Sequence, residues 1–331
     1  MQVDDKLIFV LAKMFSIEIK TVEYETKQLH GGTVGDVMLY TGVATTVTGK
    51  KLPFNVVCKT QKKWERYDDP LSWRREYDFY MSDFGNLFDS SFRWAECYHA
   101  EMNGTEDEFC LWLEYVNGTT GLELTVDMYE RAAYELARFQ GRLYAEKPKV
   151  LNVLTNLSKL EYAERFYKHY RSWDKVYNYI RGDNCEIPNH LCEMLIDTDN
   201  NSDEIFARIE SLPIILCHRD YWVTNIFNAD EAVVAIDWDT SGWGYLGEDI
   251  ASLIADEANV ELMAEIYPKC VAAYYKGFSE YVDVSHITDR CIKEIILVMF
   301  GYRLVEWFLY AEKNSEKEAH LKTLENIYEM K

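Results

Sequence analysis

Three polar side chains in the second half of the chain have the types and the spacing of a phosphate-transfer site. Asp220 and Asn225 stand in the stretch HRDYWVTN, and Asp237 follows a short distance further along the chain in the stretch IDWD. Carboxylate and amide oxygens are the ligands that Mg²⁺ prefers, and protein-bound Mg²⁺ usually shares its shell with water and phosphate oxygens. In phosphoryl transfer this order lets one Asp face the acceptor hydroxyl while the Asn and the later Asp hold metal.

A β-hairpin is predicted to bring these side chains together. The stretches NIFN and AVVAIDW, which are linked by ADE, have the composition of two short strands. The two ends of a hairpin lie side by side, so we expect the segment from Asp220 to Asn225 to lie near the segment from Asp237 to Asp239. The role of Asp239 stays open between a second metal ligand, a supporting residue and a helix cap.

The rest of the chain divides into a strand-rich part and a helix-rich part. Alternating and β-branched residues predict strands at 17–29, 37–47, 52–60, 92–102 and 108–116. Apolar residues at helical spacing predict helices at 4–15, 71–84, 127–146, 159–181, 190–211, 260–281 and 288–312. We therefore predict an N-terminal lobe over residues 1–116 and a C-terminal lobe over residues 117–331.

The composition bears on partners and on location. A formal net charge of −21 repels nucleic acid and anionic lipid, because binding a phosphate backbone depends on clustered Lys and Arg, so neither nucleic acid nor a membrane is expected as a partner. The charge favours a cationic small molecule, although a solvated acidic surface explains it equally well. No apolar run is long enough to span a membrane, and the eight cysteines include no C-x-x-C pair, which predicts a cytoplasmic protein with free thiols.

These motifs resemble those of the aminoglycoside phosphotransferase and choline kinase superfamily, which has a protein-kinase-like fold. Its members carry an H-x-D-x-x-x-x-N loop and then an I-D-[FW]-[ED] segment, and both patterns are present here at 218–225 and 236–239. The stretch LHGGTVGDVMLY is similar to the glycine loop of the family, and GEDIA resembles its acidic segment. The resemblance covers about residues 28–257. It implies an α+β fold of two lobes, with an antiparallel β-sheet in the N-terminal lobe and a larger, mainly helical C-terminal lobe.

The resemblance also implies a role for each site residue. Asp220 would orient the substrate hydroxyl and accept its proton, and Asn225 and Asp237 would hold Mg²⁺. Lys59, in VVCKT, would contact the nucleotide phosphates and pair with Glu76 on the helix that follows. Asp78, on the same helix, is a competing partner for Lys59. The other nucleotide contacts would come from backbone groups of the glycine loop (Gly31, Gly32, Thr33 and Gly35) and of the linker from Glu114 to Val116. Read without the family pattern, the glycines fit a tight hairpin equally well.

Two further residues of these motifs are assigned supporting roles. His218 is expected to hold the loop through hydrogen bonds, because a histidine in such a position more often supports than reacts. Asp249 precedes an apolar helical run in GEDIA, which predicts that it caps the N-terminus of that helix.

Together these features predict an ATP-dependent kinase that phosphorylates a hydroxyl of a small, cationic acceptor, such as an aminoglycoside, an amino sugar or a choline-like amino alcohol. GTP is possible as donor, because GGTVG departs from G-x-G-x-x-G. Candidate acceptor contacts are acidic and aromatic (Asp256, Glu257, Glu261, Glu306, Trp243, Trp307 and Phe308). A catalytically silent nucleotide-binding scaffold is one alternative. A protein kinase is another; Arg219 favours it, but only a short segment separates Asp237 from Asp249 and no A-P-E motif follows. The oligomeric state is left open.

Overall fold

An antiparallel sheet dominates the first third of the chain in the computed structural model, which describes residues 3–29, 35–64, 69–153, 162–288 and 290–330. The elements here are α1 (Val3–Phe15), β1 (Ile19–Gln28), β2 (Gly35–Thr46), β3 (Lys51–Lys62), α2 (Ser72–Tyr80), β4 (Phe92–Trp94), β5 (Cys97–Met102) and β6 (Glu108–Glu114). Five of the strands form the sheet, in the order β1-β2-β3-β6-β5.

The alternation of side chains along β3 decides where Lys59 points. Phe54, Val56 and Cys58 lie on one face and pack against α1, because successive side chains of a strand point to opposite faces. Val57 lies on the other face, among the aromatic and aliphatic residues contributed by α2 and β6. Lys59 shares the face of Val57 and therefore points toward α2.

The remainder of the chain is mainly helical. Its helices pack around a large apolar core, and α11 is buried along most of its length because apolar residues occupy nearly all of its faces. The helices are α3 (Val126–Glu146), α4 (Val150–Val153), α5 (Tyr162–Arg171), α6 (Asp174–Tyr179), α7 (Asn189–Asn200), α8 (Ser202–Glu210), α9 (Glu248–Ala255), α10 (Met263–Ser279), α11 (Arg290–Tyr310) and α12 (Asn314–Glu329).

Two glycines permit close backbone contacts in these two parts. A Cβ atom at Gly42, on β2, would lie 2.1 Å from the carbonyl oxygen of Glu23 on β1. A Cβ atom at Gly277, on α10, would lie 2.5 Å from the carbonyl oxygen of Tyr134 on α3. Since both contacts are shorter than any real Cβ contact, a side chain at either position would force the two elements apart.

Four short strands interrupt the helical part and carry the predicted hairpin. They are β7 (Ile214–Cys217), β8 (Ile226–Asn228), β9 (Val233–Ala235) and β10 (Gly242–Tyr245). β8 and β9 form the antiparallel hairpin, while β4 pairs in parallel with β9, and β7 pairs with β10. The hairpin is therefore held by a strand that lies far earlier in the sequence, before the first helix of the helical part.

The predicted α+β fold of two lobes is confirmed, with several differences in its elements. The strand predicted at 92–102 is broken after Trp94, so that β4 leaves the large sheet and joins the hairpin. The helices predicted at 159–181 and 190–211 are each two helices, and β7, β10 and α12 were not predicted. The division after residue 116 stays a prediction.

Two general predictions from composition can be compared with the structure. Each of the eight cysteines, all of which are among the described residues, is a free thiol. Within the described ranges, no helix has the length and the apolarity needed to cross a membrane.

Candidate active site

A cavity of about 350 Å³ lies between the large sheet and the hairpin. Apolar side chains line it from both sides, with Val37 and Val57 from the sheet and Phe227 and Ile236 from the hairpin region. Polar groups are gathered in its lining as well, namely Lys59, Glu76, Asn225 and Asp237. Such a space suits a flat ring joined to a charged group.

Lys59 forms two short ion pairs in this cavity. Its Nζ atom lies 2.6 Å from Oε2 of Glu76 and 2.6 Å from Oδ1 of Asp237. Burial by itself would lower the pKa of Lys59, but the carboxylates of Asp237 and Glu76 outweigh it and raise the pKa. Burial raises the pKa of Glu76. Asp78, the alternative partner for Lys59 on α2, instead pairs with Arg74 at 2.9 Å.

Asp237 has a backbone conformation that few residues adopt. Its φ angle is +65°, in the left-handed region, which costs about 1–2 kcal/mol for most residues and which Asp adopts more readily than bulkier ones do. The backbone N–H of the preceding Ile236 donates to the carbonyl oxygen of Asn225 at 2.9 Å. This bond joins the two ends of the hairpin and places the side chains of Asn225 and Asp237 on the same cavity, as the sequence predicted.

Asp220 is half-buried beside Asn225. The Nδ2 atom of Asn225 donates to Oδ2 of Asp220 at 2.8 Å and to its carbonyl oxygen at 3.0 Å. Burial, with the nearby carboxylates of Asp237 and Asp239, raises the pKa of Asp220 to about 7. A carboxyl group with this pKa is matched to proton transfer near neutral pH.

His218 holds the loop from inside the protein. Its Nε2 atom lies 3.0 Å from the carbonyl oxygen of Ile236, and its Nδ1 atom accepts the backbone N–H of Asp220 at 3.3 Å. These partners require a neutral ring with the proton on Nε2, and burial lowers the pKa of His218 to about 4. The geometry agrees with the supporting role predicted for this residue.

Asp249 does not cap the helix, and this prediction was wrong. Asp249 lies in the first turn of α9, after Gly247, and its carboxylate reaches back to the loop of residues 218–225. It accepts the backbone N–H of His218 at 2.8 Å and that of Arg219 at 2.7 Å. It also accepts Nε2 of Gln140, on α3, at 2.8 Å. Asp249 therefore fixes the shape of the loop.

Arg219 stands at a position with left-handed backbone. Its φ angle is +68°, a conformation that glycine and asparagine adopt easily. Here the Arg219 guanidinium donates to the carbonyl oxygen of Trp243, so the side chain binds within the C-terminal part.

The predicted nucleotide segments are only partly described. Gly31, Gly32 and Thr33 lie outside the described residues, while Gly35 begins β2 and pairs with Gln61 across the sheet. The linker from Glu114 to Val116 lines the cavity. The carboxylate of Glu114 accepts two hydrogen bonds from Arg93, at 2.6 and 2.9 Å, so the linker can offer its backbone to a ligand but not this side chain.

The donor set fits a magnesium ion that is bound together with phosphates. No cluster of three or more His, Cys, Asp or Glu side chains suited to a metal occurs in the parts of the chain that the structure describes. Asn225 and Asp237, however, supply an amide and a carboxylate to one cavity, and Mg²⁺ is usually held by one or two protein carboxylates together with substrate phosphates. Any metal here would rely on the nucleotide for further ligands.

The residues considered for acceptor binding do not form one group. Asp256 pairs with Arg303 at 3.2 Å, and the Arg303 guanidinium lies 4.2 Å from the ring centre of Trp307. The aromatic face that could receive an ammonium group is therefore covered by a cation of the chain itself. Three others lie elsewhere: Glu261 pairs with Lys322, Phe308 is in the core, and Trp243 lines a separate cavity of about 260 Å³.

Gln140 contributes to the site and was not predicted from the sequence. Gln140 is buried on α3 and donates to Asp249 and to the carbonyl oxygen of Leu216, at 2.8 and 3.1 Å. The sequence contains a signal for this residue: Gln140 lies one helical turn after Leu136, within the apolar stripe of the helix, where a buried polar group needs a hydrogen-bond partner. A polar residue on a buried face needs a partner, and here the partner belongs to the loop.

Comparison with known proteins agrees with this geometry. Residues 93–282 match the model of the phosphotransferase enzyme family. A search of curated proteins found no match. The structure is similar to choline kinase from Cryptosporidium parvum Iowa II, with a TM-score of 0.57 and 15% identity over 98% of this chain and 94% of that chain. It is also similar to a GDP and kanamycin complex of APH(2")-IIia, with a TM-score of 0.55 and 12% identity over 98% and 97% of the chains.

A microcompartment-associated aminopropanol kinase is similar at a TM-score of 0.53, with 11% identity over 98% of this chain and 95% of that chain. At these identities the likenesses establish the fold alone. The family match covers more than half of the chain and confirms the resemblance drawn from the motifs. The chain belongs to the phosphotransferase enzyme family, and the protein is a phosphotransferase.

Proposed function

We propose that this phosphotransferase transfers the γ-phosphate of ATP, in the presence of Mg²⁺, to a hydroxyl group of a small cationic substrate. The observation that carries the proposal is the convergence of four side chains from separate elements on one cavity, with Lys59 bonded to two carboxylates at 2.6 Å. The four are Lys59, Glu76, Asn225 and Asp237, and Asp220 is bonded to Asn225 at 2.8 Å.

The nucleotide would lie in the cavity between the sheet and the hairpin. Val57 and Ile236, from opposite sides, suit the two faces of a purine ring, and backbone groups of the linker from Glu114 to Val116 suit its edge. Lys59 would bind the phosphates, and its bond to Glu76 fixes the direction of its side chain. Residues 1–116 would thus bind the nucleotide and residues 117–331 would carry the catalytic loop. GTP stays possible as donor.

Asn225 and Asp237 are the residues that would hold Mg²⁺. When bound, the ion would neutralise the negative charge of the phosphate oxygens. Asp237 contributes a carboxylate that Lys59 already holds in place. The Nδ2 atom of Asn225 donates to Asp220, which leaves the side-chain oxygen Oδ1 of Asn225 for the metal.

Asp220 is the group that would receive the proton of the acceptor hydroxyl. Its carboxylate is fixed by Asn225 at 2.8 Å, so that one oxygen remains for the hydroxyl. With a pKa raised to about 7 by burial, it is ionised above neutral pH and is a better proton acceptor than an ordinary aspartate.

Charge and topology support the acceptor class. The net charge of −21 and the carboxylates of Asp220 and Asp239 favour a cation near the cleft. The segment from Asp237 to α9 is too short to form a platform for a peptide. The similar structures of choline kinase and aminopropanol kinase come from proteins that are named for small amino alcohols. The cytoplasmic location stays a prediction from the sequence.

The test is ADP release from MgATP in the presence of aminoglycosides, amino sugars and amino alcohols. We expect turnover of at least one class and a loss of 100-fold or more in Asp220→Asn, since proton transfer by a positioned group contributes about 10²–10⁴-fold. Generic peptides serve as the comparison for a protein kinase. The scaffold alternative gains support if nucleotide binds tightly without Mg²⁺ and neither the wild type nor the variant turns over any acceptor.

A further inference from the structure

Arg75 is a fully buried arginine that lies next to Glu76 on α2. One terminal nitrogen donates to the carbonyl oxygen of Asp239 at 2.5 Å, and the other donates to Oδ1 of Asp69 at 2.6 Å. Burying a guanidinium costs several kcal/mol, so a buried arginine is found only where ion pairs and hydrogen bonds compensate its charge. The contact with Asp239 joins α2 to the segment that follows the hairpin, which is far away in the sequence.

The segment from Asp237 to Asp239 is held at its first and third residues. Lys59 donates to the carboxylate of Asp237. Arg75 donates to the carbonyl oxygen of Asp239. Glu76, which follows Arg75 on α2, pairs with the same Lys59, so the position of α2 determines the position of the segment.

The segment needs these contacts because its backbone is strained. Asp237 has φ of +65°, and a strained residue persists only where its surroundings fix it. The bond from Arg75 is made to a backbone oxygen, so it constrains the path of the chain and not the identity of the side chain. Asp69, which lies before α2, fixes the other side of the guanidinium.

We propose that Arg75 is a positioning residue that holds the segment from Asp237 to Asp239 in the conformation that binds metal. The inference rests on the proposed function. Arg75 lies behind the segment and does not line the cavity. It acts through Asp237, the expected metal ligand, as groups that orient a ligand usually do.

The test compares Arg75→Met and Arg75→Lys with a matched control, Arg74→Met. Arg74 is the neighbouring arginine on the same helix, is partly exposed and pairs locally with Asp78. The readout is the binding of Mg²⁺ by calorimetry with ADP present, and of ADP with EDTA present. The kcat and the KM for the acceptor are measured alongside.

For Arg75→Met we expect Mg²⁺ affinity to fall about tenfold or more, as removal of an orienting group does. The affinity for ADP in EDTA and the acceptor KM should each change by about twofold or less, while kcat falls. Arg75→Lys should recover part of the Mg²⁺ affinity, and Arg74→Met should match the wild type. A folded Arg75→Met protein with wild-type Mg²⁺ affinity would overturn the inference.

Asp69→Asn gives a second route if Arg75→Met does not fold. This variant keeps the arginine and weakens the bond that orients it, so we expect a smaller loss of Mg²⁺ affinity in the same direction, and an unchanged affinity overturns the inference. If the wild type itself binds no nucleotide, the proposed function fails. If the wild type binds MgADP and both variants bind it equally well, only the role of Arg75 fails.

Discussion

Removal of Lys59 is expected to leave the buried carboxylate of Glu76 and the partly exposed carboxylate of Asp237 without the cation between them. The Lys59→Met substitution preserves most of the volume of the side chain but deletes the charge that lies 2.6 Å from both Glu76 and Asp237. Breaking a buried ion pair by deleting one partner costs about 3–5 kcal/mol, because the remaining charge has no compensation. We expect a loss of that size in the free energy of unfolding, and a loss of turnover as well.

The double substitution Lys59→Met with Glu76→Gln separates this cause from a simple loss of packing. Glu76→Gln alone should cost about 1–2 kcal/mol, since Lys59 keeps its bond to Asp237. The double variant should be more stable than Lys59→Met alone, because the buried charge without a partner is gone. The control is Lys62→Met on the same strand, where the side chain is exposed and its acidic partner lies 3.9 Å away, and where no measurable change is expected.

Urea denaturation of the four variants and the wild type gives the required free energies. The reasoning fails if the double variant loses as much free energy of unfolding as Lys59→Met and Glu76→Gln lose together. It also fails if Lys59→Met is as stable as the wild type, because the pair would then contribute nothing to the fold. Activity alone does not decide between these outcomes, since both Lys59 variants lack the side chain that is proposed to bind the phosphates.

Three further predictions concern the loop, the proton and the sheet. Asp249→Asn should lower the free energy of unfolding by about 2–3 kcal/mol in urea, since an amide cannot accept all three hydrogen bonds that the carboxylate accepts, and it should lower kcat because the loop loses its shape. The pKa of Asp220 is raised to about 7, so the proton acceptor is lost as the pH falls, and kcat/KM should decrease about tenfold for each pH unit below 7; a flat profile between pH 5.5 and 7 would contradict this. Gly42→Ala should cost about 1–3 kcal/mol in urea, because its Cβ would overlap the backbone of β1, and a variant with wild-type stability would show that the two strands can separate at no cost.

The parts of the site that sequence could predict are those joined by a short stretch of chain. Asn225 and Asp237 flank a hairpin whose two strands follow each other, so their approach follows from turn and strand patterns alone. Lys59 was placed by a motif, and its pairing with Glu76 required only that the helix after the strand return to the sheet. In each case the pattern and the partner lie close together in the sequence.

The parts that sequence could not predict depend on distant partners. The stretch from Phe92 to Met102 alternates like one strand, and nothing in it shows that β9, which lies in the other half of the chain, pairs with the first three residues. Asp249 begins an apolar helix as a capping residue does, and only the fold shows that the amides of His218 and Arg219 reach it. Periodicity reports which face of an element is buried, but not which element covers that face.

The energies around Asp237 indicate how substitutions in this site should separate activity from stability. Its left-handed backbone costs about 1–2 kcal/mol, whereas hydrogen bonds that involve a charged group contribute about 1.5–3 kcal/mol each. The two bonds from Lys59 and Arg75, together about 3–6 kcal/mol, therefore exceed the strain. Loss of a single bond should leave the segment folded but less restrained, so the position of the Asp237 carboxylate changes before the fold is lost. Since phosphoryl transfer depends on positioning, catalysis is expected to be more sensitive than stability to Arg75→Lys, which keeps a positive charge beside Asp69.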